Sequence, residues 1–296
     1  MAAGFRPEDF AYYDLRRRAA TDSIGTLFPG WRPGDERVVV FSPHDDDGLI
    51  GAGYLMLAAR ANGGEVSTVI FCDGRAGYSD ASQKEVIVEV RRGETARAYE
   101  RLGVSEESTL RLGYADFSAW PRMGWLLPGD QTGSFAATLP YLRSIRATRV
   151  LLPNGYREHV DHEAVARIGA YDVPQAGDPI LVDWGRPSPI RSLLEYAVWS
   201  DFGPEDSLVA GVAPTIRANR ALAAPAEAEE AIGEALREFR SQLQIIDGLL
   251  ESRRSRRLAD GRYLEAYRWF DPRPRLDYQP YAAMVAAIEA ERGARL

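Results

Sequence analysis

The stretch RVVVFSPHDDDG, at residues 37–48, carries the most structural information in the chain. Its first six residues form an almost continuous apolar run, which is typical of a strand buried on both faces of a parallel sheet. A histidine and three aspartates, His44 to Asp47, follow directly. In doubly wound α/β folds, ligands bind outside the carboxyl ends of the strands. The stretch therefore predicts a buried strand with a polar site at its carboxyl end.

Strand-like and helix-like segments alternate through the first half of the chain. The predicted strands span residues 37–42, 66–72, 109–112 and 149–152, and the predicted helices span 49–62, 85–102 and 131–147. This alternation is typical of a parallel sheet with helices on both faces. The predicted fold class is α/β, a Rossmann-like and mostly parallel sheet with a helical C-terminal extension.

The chain divides into three predicted parts. Residues 1–36 are an N-terminal extension, residues 37–200 an α/β core, and residues 201–296 a mostly helical C-terminal region packed on the core. Residues 190–200 predict one more strand, at a sheet edge. Residues 225–257 predict one or two long helices because they are rich in Ala, Glu and Arg.

The composition limits the class of protein. Of the 296 residues, 45% are apolar and 27% are charged, which is ordinary for a soluble globular protein. The net charge of −7 argues against a nucleic-acid partner. The longest apolar run, 49–59, is too short to span a bilayer, and the N-terminus lacks the apolar core of a signal peptide. These features predict a cytoplasmic protein without a membrane span.

The acidic cluster after the first strand is electrostatically unfavourable by itself. Aspartates this close repel one another and raise each other's pKa unless a cation neutralises them. A divalent metal is the simplest explanation, since imidazole with carboxylate suits zinc, iron or manganese. The alternative is an acidic cluster at the N-terminus of the next helix. That alternative explains one carboxylate, but not three carboxylates and a histidine.

The second motif involves the remaining histidines. The chain has three histidines, and His159 and His162 form His-x-x-His just after the fourth predicted strand. Each of the three, His44 included, therefore lies at the carboxyl end of a predicted strand and near an aspartate. Two imidazoles and one carboxylate with an open position are the layout of a catalytic metal site. The sequence predicts one divalent metal, with Zn2+ preferred and Fe2+ as the alternative.

PHDDD paired with a later HVDH resembles the PIG-L/LmbE-like family of metal-dependent N-deacetylases, whose usual motifs are (A/P)HPDDE and HxDH. The resemblance covers residues 37–162 and continues through Arg91-Arg-Gly-Glu94, similar to the family's R-x-x-E helix. It extends to Phe239-Arg-Ser-Gln242, similar to a late Ser-Gln pair. It implies hydrolysis of an N-acyl amide, above all in an N-acetyl-amino-sugar conjugate, to give a free amine and acetate.

The resemblance also implies residue roles. The implied metal ligands are His44, Asp47 and His162. Asp46 would be the general base on the metal-activated water, because a carboxylate within reach can take and return its proton. His159 would stabilise the tetrahedral intermediate or assist the leaving amine, and Asp161 would orient a histidine.

Two positions depart from the family pattern. Asp45 stands where the family usually has proline, and Gly48 stands where it usually has glutamate. The choice between the three aspartates therefore depends on the alignment. A register shifted by one residue would make Asp45 the base and Asp46 the ligand, and this alternative stays open.

The residues that bind the substrate are predicted in less detail than the metal ligands. Arg75 follows the second strand and is a candidate for binding a sugar hydroxyl or phosphate, although an exposed arginine in a glycine turn is an equal alternative. Asp116, after the third strand, corresponds to an aspartate that contacts sugar in family members. Arg91 and Glu94 share a helix face, so a structural ion pair is expected.

Aromatic residues also lie in the predicted loops around the site: Trp120, Trp125 and Tyr156. Packing against the protein is favoured over stacking on a sugar. The predicted partner is a small-molecule or glycoconjugate substrate, and a homo-oligomer is left open.

Three rival functions remain. The first is an amidase on a non-sugar conjugate, or a hydrolase of another bond. The second is a non-catalytic sugar- or metal-binding module, against which the presence of both Asp46 and His159 argues. Nucleotide binding is the third, but no G-x-G-x-x-G follows the first strand.

Overall fold

The computed structural model describes residues 4–156, 158–199, 218–271, 273 and 279–294. Its strands are β1 (Ala11–Asp14), β2 (Ala19–Thr21), β3 (Arg37–Ser42), β4 (Glu65–Cys72), β5 (Thr109–Tyr114), β6 (Leu126–Leu127), β7 (Gln131–Thr132), β8 (Arg149–Pro153), β9 (Ser192–Tyr196), β10 (Arg220–Ala224) and β11 (Tyr263–Phe270). Its α-helices are α1 (Asp47–Ala61), α2 (Ile87–Arg101), α3 (Ser134–Ser144), α4 (Val160–Asp172), α5 (Ala226–Leu236), α6 (Leu243–Arg253) and α7 (Gln279–Gly293).

One mixed sheet organises the described residues. Its strand order is β2-β1-β10-β11-β9-β8-β3-β4-β5. The five strands from β9 to β5 are parallel, and the others pair antiparallel. The predicted α/β fold class is confirmed. The chain runs outward from β3 to β5 and then returns to the other side of β3 at β8. This reversal creates a crevice at the carboxyl ends of β3 and β8, where ligands bind in such sheets.

Side chains of β3 alternate between the two faces of the sheet. Val38 and Val40 belong to a core formed with α1, α2 and α5, whereas Val39 and Phe41 belong to a second core formed with α3 and α4. A strand covered by helices on both faces has no polar side, which explains its continuous apolar run. The strand predicted at 37–42 is confirmed, as are those that form β4, β5 and β8.

The strand predicted at residues 190–200 forms as β9, but its predicted edge position is wrong. Strand β8 pairs with one side of β9 and β11 with the other, where Tyr267 lies opposite Tyr196. The edge is displaced because the C-terminal region contributes β10 and β11 to the sheet. Residue 200 itself lies outside the described residues.

The terminal regions meet in the same sheet. Strand β1 pairs with β10, so the predicted N-terminal extension adjoins the C-terminal region. The predicted helical segment 225–257 contains α5 and α6. The boundaries at residues 36/37 and 200/201 stay predictions, and residues 1–3 and 201–217 lie outside the described parts. Among the described helices, none combines the length and apolar character needed to cross a membrane.

Candidate metal centre

The two predicted motifs meet at the crevice between β3 and β8. His44 follows β3, and the chain turns at once into α1, which begins at Asp47. His159 precedes α4 and caps it, because its Nδ1 accepts a hydrogen bond from the backbone N–H of Asp161 at 3.2 Å. His162 lies in the first turn of that helix. The sheet topology thus explains why residues more than a hundred positions apart in sequence share one site.

Three candidate ligands converge on one point. Nδ1 of His44 and Nε2 of His162 each lie 3.0 Å from Oδ2 of Asp47. Their potential ligand atoms all lie within 4.8 Å of one another. Asp47 and His162 are buried, with exposed fractions of 2% and 0%. The predicted set of two imidazoles and one carboxylate is therefore brought together.

The surroundings of His162 fit a metal ion. Both ring nitrogens are buried and make no hydrogen bond within the described structure, although carboxylate oxygens of Asp47 and Glu158 lie 3.0 and 3.2 Å away. Buried nitrogens without aligned partners are costly, and coordination of a cation would satisfy one of them. Burial opposes the charged form of His162, yet Asp47 raises its pKa to about 9. The site therefore favours positive charge.

A second group of potential ligands shares His44. It contains His159 and Asp161, whose ligand atoms also lie within 4.8 Å of one another. However, the oxygens of Asp161 are already engaged: Oδ2 accepts the backbone N–H of Phe117 at 2.6 Å, and Oδ1 accepts that of Ala119 at 3.1 Å. Asp161 therefore stabilises the loop after β5 through these two hydrogen bonds. The group with Asp47 and His162 is the better metal site.

Asp161 also orients His44. Its Oδ2 lies 3.2 Å from Nε2 of His44. Burial raises the pKa of Asp161, but hydrogen bonds from His44 and from two backbone N–H groups lower it to about 2. The carboxylate stays ionised and fixes the imidazole so that Nδ1 of His44 faces Asp47. This contact corresponds to the histidine-orienting role predicted for Asp161.

His159 is held in one tautomer. Because its Nδ1 accepts a hydrogen bond, the ring proton lies on Nε2. Burial, followed by the charge of nearby His44, lowers the pKa of His159. A neutral imidazole with an Nε2–H is a hydrogen-bond donor, which is what a developing oxyanion requires.

Asp45 and Asp46 have different surroundings. Asp45 is fully buried, with Arg91 Nε at 3.0 Å and Arg111 Nη1 at 2.8 Å, and it accepts a hydrogen bond from Thr95 at 2.7 Å. Although burial raises its pKa, these arginines lower it. Asp46 keeps 16% of its side chain exposed and has one long contact to Arg91, at 3.5 Å. Burial raises the pKa of Asp46. This geometry favours the register in which Asp45 is structural.

The predicted ion pair between Arg91 and Glu94 is wrong. Arg91 turns to the aspartates after β3 instead. Glu94 accepts hydrogen bonds from the backbone N–H of Ser241 at 2.9 Å and from its hydroxyl at 2.7 Å. The i,i+3 spacing allows a pair, but each side chain finds a closer partner on another segment. The late Ser-Gln pair therefore anchors α2, with Gln242 bonding the carbonyl of Gly77.

The predicted substrate-binding residues have partners within the loop after β4. Asp116 accepts backbone N–H bonds from Gly74 at 3.0 Å and from Ala76 at 2.8 Å. The guanidinium of Arg75 turns to Asp73, with Nε 2.8 Å from Oδ2, and 58% of its side chain is exposed. Asp116 lies near His44, and the contact of either residue with substrate stays a prediction.

Of the predicted aromatic residues, Trp125 packs edge-on against Trp184 with ring centroids 5.2 Å apart. The prediction that it packs against the protein is confirmed. Trp120 keeps 39% of its surface exposed, and Tyr156 is half-buried. Their roles toward a substrate stay predictions.

One residue close to the candidate metal site, Glu158, has no role in the sequence prediction. The side chain of Glu158 is fully buried and places Oε2 3.2 Å from Nδ1 of His162. Its carboxylate accepts hydrogen bonds from the backbone N–H groups of Val198 and Trp199, each at 3.0 Å. The available signal was its i,i+4 spacing from His162. A carboxylate behind a ligand histidine is a common outer partner in metal sites.

Comparison with known proteins agrees with this geometry. The family model "PIG-L: GlcNAc-PI de-N-acetylase" matches residues 39–171, from β3 to the end of α4. A search of curated protein sequences finds no match.

Several solved structures share the fold. The N,N'-diacetylchitobiose deacetylase from Pyrococcus horikoshii is 20% identical, with a TM-score of 0.57 over 80% of this chain and 84% of that one. The 4-carboxy-2-hydroxymuconate hydratase GalB from Pseudomonas putida is 14% identical, with a TM-score of 0.56 over 82% and 99%. A teicoplanin deacetylase, solved in its zinc-inhibited form, is 17% identical, with a TM-score of 0.51 over 79% and 97%.

At these identities the structures show a shared fold, whereas the family match covers the segment that contains both motifs. The two metal motifs, the fold and the matched segment agree with one another. The resemblance to the PIG-L/LmbE-like deacetylase family is thereby confirmed, and residues 39–171 are the part of the chain that carries it.

Proposed function

We propose that this protein is a metal-dependent N-deacetylase that hydrolyses an N-acyl amide, above all in an N-acetyl-amino-sugar conjugate. The observation that carries the proposal is the convergence of His44, Asp47 and His162 beside a separate carboxylate, Asp46. The family match supports it, as do the two deacetylases among the structures of the same fold.

The donor set supports a divalent metal held by His44, Asp47 and His162. Two nitrogens and one carboxylate oxygen suit zinc and also ferrous iron. When bound, such a metal lowers the pKa of a water and polarises the amide carbonyl. The protein's own residues then have to orient the amide, move the proton and stabilise the negative charge.

The proton transfers fall to Asp46. As the water oxygen attacks the amide carbon, one water proton passes to this carboxylate, and it is later donated to the nitrogen as the C–N bond breaks. The products are a free amine and a carboxylic acid, which then gives up its proton to the solvent or to the amine. The raised pKa of Asp46 suits this exchange, because a base whose pKa lies closer to neutrality also returns the proton readily.

His159 is assigned to stabilise the negative charge that develops on the carbonyl oxygen. Its neutral ring donates from Nε2, and capping of α4 by Nδ1 prevents the ring from turning. A preorganised donor of this kind contributes roughly 3–4 kcal/mol to transition-state stabilisation in other hydrolases.

A second candidate function is suggested by the hydratase GalB, which shares the fold. A hydratase would add the same water to a carbon–carbon double bond. Its identity of 14% is lower than that of the two deacetylases, and the family match favours amide hydrolysis. An amidase acting on a non-sugar conjugate is the nearest alternative and uses the same residues.

The test is release of amine from N-acetylglucosamine derivatives by the purified protein, with and without added Zn2+ or Fe2+. The key variant is Asp46→Asn, and the matched control is Asp80→Asn on the surface. We expect metal-dependent release that falls by about 100- to 10,000-fold in Asp46→Asn, the usual contribution of a general base, with metal binding retained.

Two results would contradict the proposal. If the protein binds metal but releases no amine from these derivatives, the sugar substrate is wrong, and amides of non-sugar amines, followed by an unsaturated hydroxy acid, become the next substrates to test. If it binds no metal, the assignment of the three ligands is wrong.

A further inference from the structure

Phe117 lies beside the metal centre in an unusual backbone conformation. It follows Asp116 in the loop after β5, with φ of +63°. Its backbone N–H donates to Oδ2 of Asp161 at 2.6 Å. Its ring meets the ring of His159 edge-on, with centroids 4.5 Å apart. The phenyl group is 65% exposed.

The backbone conformation explains only part of this arrangement. A positive φ costs a bulky residue roughly 1–3 kcal/mol, whereas glycine adopts it without strain. The turn at Phe117 places two backbone N–H groups, its own and that of Ala119, on the carboxylate of Asp161, and a glycine would do this equally well. Hydrogen bonding therefore accounts for the left-handed backbone, but not for the phenyl side chain attached to it.

Packing within the protein does not account for the phenyl group either. With 65% of its surface exposed, Phe117 gains little from burial. Among the described residues, the aromatic ring that it contacts is that of His159, which is proposed to stabilise the developing oxyanion. A strained backbone and an exposed aromatic ring, both beside the reacting groups, are features that proteins retain at ligand sites.

We propose that Phe117 is the platform against which the ring of the substrate's amine part packs while the N-acyl group reaches the metal centre. This rests on the proposed function and narrows it. The favoured substrates are amides of cyclic amines with an apolar face, as the C–H face of a pyranose has. Acyclic amides receive no such contact.

The test compares two probes, methyl N-acetyl-β-glucosaminide and the acyclic N-acetylethanolamine. The variants are Phe117→Ala, Phe117→Tyr and Phe117→Gly. The control is Tyr171→Ala, because Tyr171 has a similar exposure of 64% but lies at the far end of α4. Steady-state kinetics of the metal-loaded protein, thermal unfolding, and saturation-transfer NMR of each probe are measured.

For Phe117→Ala we expect KM for the glucosaminide to rise about tenfold, which corresponds to roughly 1.4 kcal/mol, with kcat little changed. Phe117→Tyr restores KM, and KM for the acyclic probe stays unchanged. Phe117→Gly raises KM in the same way but raises Tm, because the backbone strain is relieved. Saturation transfer from the protein to the sugar ring protons is reduced in Phe117→Ala, because the ring that contacts them is lost and binding is weaker, and it is unchanged in Tyr171→Ala.

Two results would contradict the proposal that Phe117 packs against the ring of the substrate. Equal losses with both probes, seen in kcat, would mean that the ring shields His159. Unchanged KM and unchanged saturation transfer in Phe117→Ala would mean that the phenyl group does not touch the sugar. Saturation transfer reports on the platform even if neither probe is cleaved, so failure of the deacetylase assignment is distinguishable from failure of this inference.

Discussion

The guanidinium of Arg91 lies 3.5 Å from the carboxylate of Asp46, the proposed general base. Burial raises the pKa of Asp46, and the charge of Arg91 opposes this. The arginine thus limits how tightly the base holds a proton. Arg91 thus connects α2 with the proposed general base, and its ion pairs are with Asp45 and Asp46 and not with the proposed metal ligands.

Arg91→Gln is therefore expected to raise the pKa of Asp46. The acidic limb of the pH profile of kcat/KM should move to higher pH, because the base must be ionised to accept a proton. Arg92→Gln is the control, since Arg92 is exposed and pairs with Glu106 at 3.4 Å. An acidic limb that stays in place would show that Arg91 serves only to bind Asp45.

Glu158→Gln should weaken metal binding. The amide preserves the size of the side chain but removes the negative charge 3.2 Å from Nδ1 of His162. Outer partners of this kind typically contribute about 10- to 100-fold to metal affinity. Competition with a chromogenic zinc chelator measures the change, and Glu163→Gln on the exposed face of α4 is the control. Equal zinc affinities in both variants would contradict the role assigned to Glu158.

Asp172 is expected to make stability depend on pH. It is 5% exposed and accepts hydrogen bonds from Ser134 at 3.0 Å and from Thr138 at 3.2 Å. Burial raises its pKa from 3.8 to about 6. The native state then holds the proton more tightly than the unfolded state, so this group lowers the free energy of unfolding as pH rises from about 4 to 6.

Asp172→Asn removes that titration. The free energy of unfolding of the variant should exceed that of the wild type by up to roughly 3 kcal/mol above pH 6 and by little near pH 4. Urea unfolding of both proteins across this range measures the difference. A difference that does not change with pH would show that Asp172 has an ordinary pKa.

Gly48 and Tyr99 should be energetically coupled. A Cβ atom at residue 48 would lie 2.7 Å from the hydroxyl of Tyr99. Gly48→Ala is therefore expected to destabilise the fold by roughly 1–3 kcal/mol through overpacking. Tyr99→Phe removes the clashing atom, so Gly48→Ala should cost less in that background. Additive effects in a double-mutant cycle of denaturant unfolding would contradict the coupling.

Much of the parallel sheet could be predicted because its pattern is local. Strands covered on both faces, such as β3 and β8, are continuous apolar runs, and their bounds agree with prediction to within a residue. The short strands β2, Ala-Ala-Thr, and β10, Arg-Ala-Leu-Ala-Ala, carry little intrinsic β preference. They form because distant partners pair with them, which a local pattern does not contain.

The candidate site likewise has one part that the sequence predicts and another part that it does not. The convergence of His44, Asp47 and His162 follows from two short motifs and from the position of strand ends. The partners of Arg91 depend on how α2 is rotated against the sheet, and Glu158 is held by the distant residues Val198 and Trp199; the sequence shows neither. Phe117 belongs to no motif, and its contact with Asp161 joins two segments that are distant in the sequence.

The pairing of β1 with β10 affects the order in which the chain can fold during synthesis. Residues 11–14 leave the ribosome early, yet their neighbours in the described sheet are β2 and the much later residues 220–224. Contacts of such sequence separation form slowly, because a long loop must close first. Until they form, the early hairpin presents an unpaired edge, the kind of surface that chaperones protect. Completion of the sheet therefore waits for the last third of the protein.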